Sequence, residues 1–147
     1  MLGAWFGGLL AQNRIKAGWD VNKTRKWVIT LGCLIMFPSF FLLINPGSAT
    51  NAVLIMACIL FGFQTSIGNV QTLPSDLFGK NTVGTLSGIA GMAAKFAVFA
   101  FTLLVPKLTA GENYAPAFYV GAALTITALF AVWVLIPKVE KVQPAYT

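Results

Sequence analysis

The chain has 147 residues, about the length of one domain, of which 57% are hydrophobic and only 10% charged; its mean hydropathy is +0.78. A water-soluble domain usually carries about a quarter charged residues, so the composition excludes an ordinary soluble domain and points to a surface that faces a bilayer. The net charge is +6, but the basic residues cluster between apolar runs with no aromatic–basic interleaving, which argues against nucleic acid as a partner.

The opening run MLGAWFGGLLA, residues 1–11, reads as the last turns of a spanning helix whose beginning is missing. Its positive residues follow the apolar part, which is the wrong order for a signal peptide. A hydrocarbon core needs roughly 20 mostly apolar helical residues to cross it, and four later runs qualify: 27–44, 51–72, 83–105 and 114–136. The expected fold is therefore all-α and polytopic, with four full transmembrane helices and a truncated one. The connections set the orientation. Arg14, Lys16, Lys23, Arg25 and Lys26 in the loop 12–26, Lys80 in the loop 73–82, and Lys138 and Lys141 in the tail 137–147 all fall on one side; Lys107 falls on the other. The positive-inside rule places the first set, and the C-terminus, in the cytoplasm.

The spans 27–44 and 114–136 hold few polar groups beyond Ser and Thr and suit a lipid-facing role. Cys33 and Cys58 lie inside apolar runs, have no ligand-like spacing, and read as small packing residues; no disulfide, metal site or cofactor is expected. The span 51–72 is different. In FGFQTSIGNVQT, Gln64, Gly68 and Gln71 share one helical stripe, and Thr65, Asn69 and Thr72 share the adjacent one. Amides facing lipid are costly, so this face should meet protein or a water-filled cavity; the plainer alternative is hydrogen bonding between helices.

In VGTLSGIAGMAAKF, Gly84, Gly88, Gly91 and Lys95 lie on one stripe, and Gly84–Gly88 is a GxxxG pair of the kind that lets helices approach closely. Lys95 lies about 18 Å along the helix from Val83, near mid-membrane. The acids, Asp20, Asp76, Glu112 and Glu140, all fall in loops or the tail. Lys95 therefore requires an anionic ligand, an acid on a segment absent from this sequence, or a neutral amine; intramembrane charges are functional as a rule. Ser87 has no base in reach and no pair of intramembrane acids is present, so no enzyme is expected.

The stretch GGLLAQNRIKAGWDVNKTRK resembles the loop between the eighth and ninth helices of major facilitator superfamily transporters, most closely the anion:cation symporter branch. Gly7, Gly8, Gly18, Trp19, Val21, Asn22, Arg25 and Lys26 fit its pattern. LPSDLFGKNTVGTLSGIAG resembles the junction of that branch's tenth and eleventh helices, and YAPAFYVGAALTI the start of its twelfth. Gln12 and Asn13 stand where the branch usually has Asp and Arg, and Lys95 stands where a small or apolar residue is more frequent. The resemblance implies part of the C-terminal six-helix half of a twelve-helix transporter, with a substrate site at the midplane between halves. It implies proton-coupled transport of a hexuronate, aldonate or similar sugar acid across the inner membrane. Gln64, Asn69, Gln71 and Lys95 would meet the substrate carboxylate and hydroxyls. Gly8, Arg14, Gly18, Arg25, Lys26 and Asp76 would form the loop motif that governs gating, and Gly84, Gly88 and Gly91 the helix packing. The expected partners are the carboxylate substrate, protons, the missing N-terminal half and the bilayer. The competing readings are a small oligomeric four-helix exporter and a non-transporting membrane scaffold.

Overall fold

A computed structural model describes residues 2–77, 80–109 and 113–135. The tail 137–147, with Lys138, Glu140 and Lys141, and the expected loop acid Glu112 lie outside the described residues. Five helices follow in order: α1 (Leu2–Lys16), α2 (Val21–Ile44), α3 (Ala49–Leu77), α4 (Lys80–Leu108) and α5 (Ala115–Leu135). All but α1 are long and apolar enough to cross a membrane, and no strand occurs among the described residues. The protein is a multi-pass membrane protein. The helices run past the apolar runs: α2 starts at Val21 and α3 continues through Pro74 to Leu77. Polar residues at these ends keep the helical ladder, because unpaired backbone groups are costly at a membrane boundary.

The central interface is α2 against α3, with α1 packed on α3 and α5 on α2. Small residues make it. Gly3, Gly7 and Ala11, four apart, are the buried positions of α1. A Cβ at Gly7 would come 2.7 Å from the Thr65 carbonyl oxygen. Gly32 and Gly62 meet where α2 crosses α3, and a Cβ at Gly62 would lie 2.6 Å from the Gly32 carbonyl oxygen. Such close approach lets side-chain hydroxyls reach the neighbouring backbone. Thr65 Oγ1 lies 3.1 Å from the Gly3 carbonyl oxygen while donating within its own helix to Phe61, and Ser66 Oγ donates to the Ile29 carbonyl at 3.1 Å.

α4 stands off this core. Its described side chains are exposed or half-buried along the whole length, including Ile89, Met92, Phe96, Phe99 and Leu103. It bounds an apolar cavity of about 710 Å³ with residues such as Phe101 and Val105, opposite Ile29, Phe63, Ile67 and Phe118.

Candidate functional site

The polar contacts gather at one end of the bundle, where α1 turns into α2 and where α3 and α5 finish. The turn has a local cause. Gly18 adopts φ +86°. Its N–H bonds to the Ile15 carbonyl, and the N–H of Trp19 bonds back to the Arg14 carbonyl at 3.1 Å. This is a Schellman ending, in which a left-handed glycine lets two amides satisfy the helix's last carbonyls. It folds Trp19 onto Arg14, whose guanidinium carbon sits 4.5 Å from the Trp19 ring centroid and 4.8 Å from that of Trp27. A cation between two indole faces is held by the negative faces of both rings.

The first turns of α2 then contact every helix of the core through three consecutive residues. Arg25 reaches α3: Nε donates to Asp76 Oδ2 at 3.0 Å and Nη1 donates to Asn69 Oδ1 at 3.0 Å. Lys26 is buried, with its ammonium 5.2 Å from the centroid of Trp133 on α5. The indole N–H of Trp133 donates to Thr30 Oγ1 at 3.2 Å, and that hydroxyl donates to the Lys26 carbonyl at 2.8 Å. Trp27 closes the stack on Arg14 of α1. Arg25 and Asp76 keep 16% and 23% of their side-chain surface in contact with solvent, so the ion pair is partly shielded.

The structure thus joins Arg25 to Asp76, while Arg14 and Gly18 belong to the α1–α2 turn and Lys26 faces Trp133 on α5. Gly8 lies on the exposed face of α1 with no atom within 4 Å of a Cβ there. Asn69, expected to meet a substrate, is 2% exposed, and its amide is spent on Arg25 and, through Nδ2, on the Thr65 carbonyl at 3.1 Å. Gln64 is half-buried and Gln71 exposed. Lys95 is exposed midway along α4 and has no ion pair or hydrogen bond among the described residues. A Cβ at Gly84, Gly88 or Gly91 would meet nothing within 4 Å among the described residues. Among the described residues, no contact joins Lys95 to the α3 amides.

The apolar cavity is not a site for a polar solute. Its lining hydroxyls, Ser66 and Thr125, donate to the Ile29 and Gly121 carbonyls, and a carboxylate moved there would lose its water without replacement.

The sequence pattern missed the tryptophan partners of the cations. The available signal was position: Trp19, Trp27 and Trp133 all fall at span ends beside basic residues, where indoles favour the interface. The link between Arg25 and Asn69 has no such signal, since it depends on which face of α3 meets α2.

Over 138 residues the chain is 33% identical to the "Hexuronate transporter" of Escherichia coli strain K12, and equally to that of Escherichia coli O157:H7. The match takes in 88% of this chain and 30% of each relative, so the chain spans under a third of their length. No family model matches, and no solved structure matches.

Proposed function

We propose that this chain, a homologue of part of a hexuronate transporter, forms the end of the eighth helix through the twelfth of a major facilitator superfamily transporter. The whole protein would move a hexuronate or similar sugar acid across the inner membrane together with protons. The observation that carries the reading is the identity of 33% sustained over 138 residues, in a chain whose helices are of spanning length. The basic end would be cytoplasmic, and the C-terminus with it.

On this reading Arg25 is a staple. Alternating access moves one bundle of helices against another as nearly rigid bodies, and such a body needs its helices fastened to each other. Arg25 fastens α2 to α3 through two donors of one planar group, a geometry lysine lacks. Lys26 with Trp133 fastens α5 to α2, and Arg14 with Trp27 fastens α1. The exposed α4 would contribute the substrate-facing cation: Lys95 would attract the carboxylate through a charge-assisted hydrogen bond or pair with an acid of the missing half. Gln64 and Gln71 would bond the sugar hydroxyls. Asn69 would join them only in a conformation where Arg25 lets go. Gly84, Gly88 and Gly91 would receive a helix that lies outside this chain.

The test is uptake of radiolabelled glucuronate and galacturonate by cells lacking their own hexuronate uptake, with the protein produced from its own genomic locus. Saturable uptake competed by unlabelled hexuronate, and not by glucose, is the expected result. Uptake no higher than in cells without the gene would refute the reading.

A further inference from the structure

A second polar feature at the basic end shares Arg25 with the staple and is otherwise not used by the transport reading. A groove of about 420 Å³ runs along α1, lined by Gly8, Leu9, Gln12, Ile15, Lys16 and Arg25. Its two ends differ in chemistry. Leu9 and the bare backbone at Gly8 make its apolar end, a trough about two turns nearer the middle of the bundle than Lys16, and Ile15, beside Lys16, carries the apolar strip up to the charges. Gln12, Lys16 and Arg25 make a cationic rim. Lys16 is exposed and has no ion pair or hydrogen bond among the described residues. Arg25 spends Nε and Nη1 on Asp76 and Asn69, which leaves the remaining N–H donors of the guanidinium.

Two observations say what lies at this depth and of what charge. Trp19, Trp27 and Trp133, each 39% to 52% exposed, ring the same end of the bundle; indoles settle at the headgroup level, so the groove opens among headgroups with its trough toward the acyl chains. The segment 12–26 carries five basic residues against Asp20 alone, so the local field favours an anion. A molecule that pairs acyl chain with trough and phosphate with rim meets both conditions, and basic pockets between membrane helices on the cytoplasmic side hold such headgroups.

We infer that the α1 groove binds one anionic glycerophospholipid of the surrounding leaflet, its phosphate on Lys16, Gln12 and Arg25 and an acyl chain along Gly8 and Leu9. The leaflet assignment rests on the orientation proposed above; the contact chemistry does not. The lipid would cover the exposed side of α1 beside the Arg25 staple.

Native mass spectrometry of the protein extracted from its own membrane in mild detergent tests this. The expected wild-type spectrum shows one retained phosphatidylglycerol or cardiolipin per chain. Lys16→Gln should weaken retention about fivefold, the effect of removing one basic residue near a lipid surface. Lys107→Gln, at the other end of the bundle, should leave it unchanged. Equal retention in Lys16→Gln and wild type, loss in Lys107→Gln, or equal retention of phosphatidylethanolamine would overturn the inference. If Lys16→Gln is not recovered from the membrane, delipidated wild type titrated with phosphatidylglycerol or phosphatidylcholine decides: saturation at one per chain is expected for the first alone, and the same binding of both overturns it. Hexuronate uptake is read in parallel, so that a failure of transport with the lipid retained counts against the transport reading only.

Discussion

Arg25 on α2 and Asp76 on α3, 51 residues apart in the chain, meet Nε to Oδ2 at 3.0 Å, and the same guanidinium holds Asn69 at 3.0 Å. One side chain therefore ties the start of one spanning helix to two points, two turns apart, on the next. An exposed ion pair alone contributes at most about 1 kcal/mol. Here the second bond fixes the arginine rotamer in advance, so the pair loses less entropy in forming.

Arg25→Lys should not substitute for arginine. An ammonium can face Asp76 or Asn69 but lacks the planar fork that serves both. We expect Arg25→Ala to lower the thermal midpoint in detergent by roughly 1.5–3 kcal/mol in stability, the range for hydrogen bonds to charged groups, and Arg25→Lys, which keeps at most one of the two contacts, to recover only part of that loss. In a double-mutant cycle Arg25→Ala and Asn69→Ala should be non-additive. Strict additivity would show that the two side chains do not act together.

Gly18→Ala should destabilise the α1–α2 turn. A side chain at φ +86° costs about 1–2 kcal/mol for an L-residue, and the strain falls where Trp19 is folded onto Arg14. Gly18→Asn should cost less, since Asn tolerates the left-handed region. Thermal melts of the three proteins in one detergent check the order Gly, Asn, Ala.

Two glycine pairs should behave oppositely. Gly62→Ala places a methyl against the Gly32 backbone and should destabilise by about 1–3 kcal/mol, the usual cost of overpacking. Gly88→Ala meets open space and should raise the stability of this chain by up to about 1 kcal/mol, the helix-propensity gain of alanine over glycine. If α4 docks on a helix outside the chain, Gly88→Ala should nevertheless lower uptake by the whole transporter. Unaffected uptake would remove the proposed packing role of Gly84, Gly88 and Gly91.

The all-helical, multi-pass fold was legible because four apolar runs of spanning length leave few alternatives for the backbone. The Arg25–Asp76 contact was half legible. Both residues stood out as parts of one loop pattern, but their pairing follows from the crossing of α2 and α3 at Gly32 and Gly62, which periodicity within one helix does not specify. Asn69 shows the limit more sharply. A stripe of amides on α3 marks a face that avoids lipid, and that face meets α2 and its arginine as readily as it would meet a solute. The packing glycines divide in the same way. Gly84 and Gly88 stand out through their four-residue spacing, whereas Gly3 and Gly7, with the same spacing, make the contact seen on α3.

The most direct test of the transport account is uptake of radiolabelled hexuronate into proteoliposomes of the locus-encoded protein, under an imposed inward proton gradient, for wild type and Lys95→Ala. The account predicts gradient-driven accumulation that a protonophore abolishes. It also predicts an initial rate in Lys95→Ala at least about tenfold lower, as expected for losing one charge-assisted hydrogen bond of about 1.5–3 kcal/mol, at equal reconstitution. Equal rates in the two proteins would contradict the assignment of Lys95, and no accumulation by wild type would contradict the account itself.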